Sequence, residues 1–416
     1  MKKVIYKFEF LYLIPIILFI IFPEHSLQTG AHLDKKTCHS IYLCKIYLGL
    51  GVADWIIVSM AFLIILHIIF NRLKIYVNKK SSFYIVAFIY FIYLVIGILY
   101  NLLIQYHIYS LLYDFKIILY IVTVYYWLKL FVKVDWKSKH IFYFFILYAL
   151  GVIWDYIYVY NFGINQRPNE IYFLPTILPL FDLSFLMISF HCFKKYRLLI
   201  FILILFEILS AFNRANLGYL LGAFTTLIYI IVYELKLSLK IHFIVILISF
   251  IFLTVFLPLI IYEILPYVSD IKSGGLDIRK MNTLSLIDNF VSNFSIVIGK
   301  GLGSTFFETY TSEFSNVFST GVYHQEGNVK FMMQTPLALF YKLGLIGSLI
   351  MIFLLINVSL KLLSISKLEN NNFFKFLAII YPVFMIGSMI SPGIIQYSVM
   401  IGIILFISDE KISNFK

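Results

Sequence analysis

The chain has 416 residues, 62% hydrophobic and 13% charged, with a formal net charge of +12. A soluble domain carries about 45–50% apolar and about 25% charged residues, so this composition excludes a large soluble enzyme and points to a polytopic membrane protein. The basic excess does not indicate a nucleic-acid partner, because the lysines and arginines sit in short loops between apolar runs, where orientation signals belong.

The N-terminal stretch "MKKVIYKFEFLYLIPIILFIIFPEHS" has the basic start and apolar run of a signal peptide. It lacks a small-x-small cleavage site and reads as an uncleaved first span. Apolar length then predicts about 12 spans. They centre near residues 8–22, 46–70, 83–104, 110–131, 141–160, 171–191, 198–212, 217–233, 241–261, 336–357, 375–391 and 394–408. Pro175 and Pro179 are expected to kink the sixth, and "SPG" (Ser391 to Gly393) separates the last two as in a broken hairpin.

Alternate loops are basic: "MKK", "NRLKIYVNKKSS", "KVDWKSK", "KKYR", "ELKLSLK" and "LKLLSISKLENNNFFK". The intervening loops are poorer in Lys and Arg, although Lys35 and Lys36 dilute the contrast. The positive-inside rule puts both termini in the cytoplasm. The expected architecture is all-α: a bundle of about nine helices over 1–260, an outer loop over 261–335, and three helices with a cytoplasmic tail over 336–416. Three cysteines occur: Cys192 ends a span, while Cys38 and Cys44 flank the start of the second, their pairing left open. No Cys/His metal spacing appears, so no metal or cofactor is expected.

The outer loop mixes acids and bases and is not a disordered charged tail. Within it "MNTLSLIDNFVSNF" places Leu284, Ile287, Phe290, Val291 and Phe294 at helical spacing, predicting an amphipathic helix on the membrane face or capping the bundle.

Several outer residues could carry chemistry. Arg214 sits in a very short turn in "SAFNRANLGYLLGAF", Arg167 in "NQRPNE", and Arg279 at the start of the amphipathic run. A guanidinium fork at the outer boundary suits a lipid-linked diphosphate; the alternative is an arginine snorkelling to headgroups. "GKGLGS" (Gly299 to Ser304) echoes a phosphate loop but lacks the Lys-Ser/Thr ending of a nucleotide-binding one. A tight turn that lets two backbones approach is the favoured reading, with Gly301 and Gly303 kept as candidates for substrate contact. His324, beside Glu326 in "VYHQEGN", could act as general base or acid; Glu308 and Glu313 are further acids of the loop. Asp54, Asp155, Asp182 and Glu207 lie in or near apolar segments, either as functional charges or as partners within the bundle. Asp155, in "WDYIYVYNF", is near an outer end.

Together these features resemble the O-antigen polymerase and ligase superfamily. The similar elements are about 12 spans with one large outer loop between spans 9 and 10, and "SAFNRANLGYLLGAF", with Arg214 in the family's arginine position. Arg279 is followed by an amphipathic run and then "GKGLGS", and "LALFYKLGLIGSLIMIF" resembles the family's glycine-flanked start of the next span. Asn213 stands where the family often has serine, and "MMQTP" lies nearer the usual histidine spacing than His324 does. The resemblance implies a GT-C-like glycosyltransferase of the bacterial inner membrane that needs neither metal nor nucleotide. It would polymerise undecaprenyl-diphosphate-linked oligosaccharide repeat units on the periplasmic face. Arg214 and Arg279 would hold the diphosphate, His324 or Glu326 would be catalytic, and Arg167, Asp155, Gly301 and Gly303 would contact substrate. A polysaccharide chain-length regulator is an implied partner besides the bilayer. The alternatives are a ligase that transfers the glycan to lipid A-core and a flippase for lipid-linked oligosaccharide.

Overall fold

The computed structural model describes residues 12–18, 52–72, 81–103, 108–132, 179–202, 204–205, 230–231, 241, 244–245, 248, 281, 283–289, 296–307, 309–310, 329–330, 337–390 and 395–414. These residues are mostly helical. The main helices are α1 (Val52–Phe70), α2 (Ser82–Leu103), α3 (Ile108–Phe131), α4 (Pro179–Cys192), α5 (Leu337–Glu369), α6 (Asn372–Ile390) and α7 (Ile395–Asn414). Two short antiparallel strands, β1 (Phe306–Phe307) and β2 (Val329–Lys330), pair Phe306 with Lys330 and Phe307 with Val329.

Two helical stretches are long and apolar enough to cross a membrane by length and composition: Ser82–Tyr100 in α2 and Phe340–Glu369 in α5. Both carry apolar residues on their inner and outer sides. On its inner side α2 buries Phe83, Val86, Ile89 and Tyr93, and on its outer side it exposes Phe88, Phe91, Val95, Leu99 and Leu102. Leu345, Ile346, Leu349, Ile350 and Phe353 form the exposed side of α5, and Phe62, Ile65 and Ile69 that of the shorter α1. Phe88 and Phe91 are 64% and 61% exposed, so the surface of α2 is not that of a helix half-sunk in a soluble core.

The core centres on α6, whose Ala378, Ile379, Ile380 and Tyr381 are fully buried. It packs on α4, α5 and α7; α7 also packs on α3, which in turn supports α1 and α2. Asp409 of α7 closes one end of α2. Its carboxylate accepts the amides of Ser82 (3.1 Å) and Phe83 (3.4 Å), the Tyr125 hydroxyl (3.1 Å) and the Ser81 hydroxyl. The first amides of a helix have no partner within it, and an acid there also meets the favourable end of the helix dipole.

Several elements differ from expectation. The tenth predicted span continues to Glu369 rather than ending near 357, because Leu362, Leu363, Ile365 and Ser366 are buried along the helix. The basic "loop" is therefore mostly helix, and its turn is only Asn370, in a left-handed conformation, and Asn371. The Asn371 side chain accepts the Phe373 amide (3.0 Å) and caps α6. The last helix runs to Asn414, past 408. Pro179 is the first residue of α4, and Pro175 lies outside the described residues. The amphipathic run is helical over 283–289, but it buries Thr283, Ser285 and Leu286 and leaves Ile287 exposed. Polar bonds set this face. The Ser285 hydroxyl accepts the Tyr310 amide (3.0 Å), and the Asn289 amide group donates to the Phe307 carbonyl (2.8 Å). Phe290, Val291 and Phe294 lie outside the described residues.

Candidate functional site

The helix α5 is broken near its start. Gly344 has φ 64° and ψ −175°, so the helical ladder stops and resumes there. Such a break strips partners from carbonyls before it and amides after it, and "SIVIGKGLGS" supplies them. The Tyr341 carbonyl accepts the Lys300 amide (3.0 Å), and the Lys342 carbonyl accepts the Gly301 amide (2.8 Å). Beyond the break, the Leu345 amide donates to the Ile296 carbonyl (2.7 Å) and the Ile346 amide to the Val297 carbonyl (3.2 Å). The Tyr93 hydroxyl packs against Gly347, where an added β-carbon would fall 2.4 Å from its oxygen. Segment 296–303 is thus a strap laid into the break, and it takes over hydrogen bonds the helix has lost.

The strap then descends along α2 and α3. The Leu302 amide donates to the Tyr93 carbonyl (2.9 Å). Tyr93 is ten residues before the end of α2 at Leu103, which puts the contact about 15 Å below that end at 1.5 Å per residue. A β-carbon on Gly97 would fall 1.7 Å from the Leu302 carbonyl oxygen, and one on Gly301 would fall 2.2 Å from the Gly97 amide nitrogen. Gly301 also has φ +83°, a region where L-residues are strained. Glycine at both positions is a condition of the close approach, as the turn reading of "GKGLGS" expects.

The charges nearby are paired in a specific way. Asp114 of α3 and Lys342 of α5 form a buried ion pair, with both carboxylate oxygens 2.7 Å from the ammonium. Asp114 also accepts the Gly303 amide (2.5 Å), so one carboxylate holds the strap and the broken helix together. Lys116, two residues on, pairs with Asp54 of α1 (2.5 Å), which also accepts the Tyr120 hydroxyl (3.0 Å). Asp54 is therefore a partner within the bundle. Lys300 has no carboxylate partner among the described residues. Its ammonium donates to the Tyr341 hydroxyl (2.7 Å) and lies over the rings of Tyr341 (4.7 Å) and Tyr100 (5.7 Å). The Tyr341 hydroxyl in turn donates a hydrogen bond to the Thr305 carbonyl (2.9 Å). Burial pushes the Lys300 ammonium down to about 8.

Of the residues expected to carry function, Gly301 and Gly303 lie in the strap, with both amides engaged by the protein. Arg214, Arg279, His324, Glu326, Arg167 and Asp155 lie outside the described residues, as do Cys38, Cys44, Glu207, Glu308 and Glu313. Cys192 is a buried free thiol. Among the described residues no group of three or more His, Cys, Asp or Glu could hold a metal ion. The sequence reading does not single out Asp114, Lys116 or Lys342. Their signal is a lone charge within an apolar run, "LLYDFKIILY" or "LFYKLGLIG". No protein-family model, curated protein or solved structure matches the chain.

Proposed function

We propose that this chain is a multi-pass inner-membrane glycosyltransferase with about 12 spans and a GT-C-like fold, which polymerises undecaprenyl-diphosphate-linked oligosaccharide repeat units on the periplasmic face. The observation that carries the reading is the joining of two motifs. The Gly-x-Gly turn and the glycine-flanked start of the following span are similar to elements of the O-antigen polymerase and ligase superfamily, and here two backbone hydrogen bonds join them, with two more from Ile296 and Val297 just before the turn. Apolar stripes exposed on α1, α2 and α5 support placement in lipid. The joint ties the start of α5 to the segment that precedes it, so the outer loop is held against the bundle at this point.

In the proposed reaction an acceptor sugar hydroxyl attacks the anomeric carbon of the growing glycan. A new carbon–oxygen bond forms as the bond to the lipid diphosphate breaks. The diphosphate leaves with the electron pair, and the hydroxyl proton passes to His324 or Glu326 as general base. Arg214 and Arg279 neutralise the charge that develops on the leaving diphosphate. Arg167 and Asp155, together with Gly301 and Gly303 of the turn, are assigned to substrate contact.

The test is the surface-glycan ladder of a strain lacking the protein, restored with wild type, Arg214→Ala or Arg279→Ala. The proposal expects a single repeat unit on the core in the null strain and in both variants, with variant protein present at normal levels. Bare core with long glycan left on the carrier lipid would make the chain a ligase. Lipid-linked single units accumulating on the cytoplasmic side would make it a flippase.

A further inference from the structure

Lys300 and Lys342 lie buried where the strap meets the helices, Lys116 is half-buried on α3 near Asp114 in sequence, and their electrostatics differ. Lys342 is neutralised by Asp114 and Lys116 by Asp54. Lys300 is only 7% exposed and has no carboxylate partner among the described residues. A lysine ammonium has three hydrogens to donate. One goes to the Tyr341 hydroxyl, and the other two have no acceptor among the described residues. Two aromatic faces stabilise the charged form but satisfy no N–H. A buried cation with unused donors needs an anionic or polar partner.

The position limits what that partner is. Tyr100 lies three residues from the end of α2, and Tyr341 four residues from the start of α5. Lys300 therefore sits within about one helical turn of both helix ends, at the level where phosphate groups of membrane lipids lie in the orientation proposed above. The amides of Lys300, Gly301, Leu302 and Gly303 are already bonded to Tyr341, Lys342, Tyr93 and Asp114, which leaves the Lys300 side chain as the group with donors to offer in this part of the strap.

We propose that Lys300 binds a phosphate group presented at the outer ends of α2 and α5. The ammonium takes phosphate oxygens with its two remaining donors, while the Tyr341 hydroxyl and the rings of Tyr341 and Tyr100 hold it. The source is either a lipid-borne diphosphate or free diphosphate. The inference rests on the proposed membrane orientation and not on glycosyl transfer. Its test reads binding without turnover, so its failure is distinct from failure of the polymerase reading.

The experiment uses the full chain in phosphate-free maltoside micelles and follows thermal unfolding with farnesyl diphosphate or inorganic pyrophosphate. Wild type and Lys300→Met are compared. The expected result is a rise in the wild-type midpoint with added ligand, and a dissociation constant at least ~10-fold weaker in Lys300→Met, as loss of one charged hydrogen bond implies. Response to farnesyl diphosphate alone assigns a lipid-borne source, and response to both shows that diphosphate suffices. Helix content of the two proteins, compared by circular dichroism, confirms that Lys300→Met is folded; a variant that does not fold is replaced by Lys300→Gln. No shift in wild type with either probe, or equal shifts in wild type and variant, would overturn the proposal and leave the ammonium satisfied by its aromatic neighbours and water.

Discussion

Gly97→Ala sets two effects of opposite sign against each other. Gly97 is inside α2, and alanine in a helix interior is favoured over glycine by about 0.8–1 kcal/mol. Propensity alone therefore predicts a more stable protein. The added β-carbon would lie 1.7 Å from the Leu302 carbonyl oxygen. Non-bonded carbon and oxygen settle above roughly 3 Å, so the strap must retreat by more than ~1 Å. Overpacking of this kind costs about 1–3 kcal/mol. The retreat also weakens the bonds from Leu302 to Tyr93 and from Gly301 to Lys342, each worth about 0.5–1.5 kcal/mol net. The balance is a loss of roughly 1–5 kcal/mol. Thermal unfolding of purified protein in micelles, followed by helix circular dichroism, should show a lower midpoint for Gly97→Ala than for wild type. An equal or higher midpoint would mean that the strap does not lie against α2 at this depth.

Asp114→Asn leaves Lys342 buried without a counter-charge and should cost about 3–5 kcal/mol; adding Lys342→Met should recover much of the loss, as a double-mutant cycle on unfolding midpoints would read. Asp409→Ala removes the acceptor for the first amides of α2 and should lower stability by about 1–2 kcal/mol, with hydrogen exchange rising first at Ser82 and Phe83. For pH, Lys300 sits near 8 in the fold against an ordinary 10.5, so between those values the unfolded chain holds a proton that the folded chain has released. Stability therefore rises with pH across that window. Among the described residues the titratable side chains facing the Lys300 ammonium are Tyr100 from α2 and Tyr341 from α5, and both are retained in Lys300→Met. The midpoint of wild type should gain on that of the ligand-free variant from about pH 8 to 10, whereas parallel curves would contradict the burial of this charge.

What the sequence makes legible is local. Apolar runs marked α1, α2, α3, α6 and α7 because an unbroken hydrophobic stretch leaves the backbone few options but a helix. "GKGLGS" was readable as a close-approach turn, since three glycines in five residues can serve positive φ and backbone contact. The end of α5 was not legible, because lysines that read as a loop alternate with leucines that face the core. The buried face of 283–289 was hidden for a related reason: Ser285 and Asn289 follow hydrogen-bond partners near 307–310, and apolar spacing does not report them. The ion pair of Asp114 with Lys342 joins positions 228 residues apart, and only the packing of α3, the strap and α5 brings them together. Lys300 was in plain view within a motif, yet that it has no counter-charge among the described residues becomes visible only once Lys116 and Lys342 are seen to have one.

The most direct test of the central claim is transfer by the purified protein itself. The full chain is reconstituted in liposomes with an undecaprenyl-diphosphate-linked repeat unit, a chelator, and no nucleotide sugar. The account predicts glycans of two and more units together with released undecaprenyl diphosphate, and neither product from Arg214→Ala or Arg279→Ala. Repeat units that stay single, with no diphosphate carrier released by the wild-type protein, would contradict it.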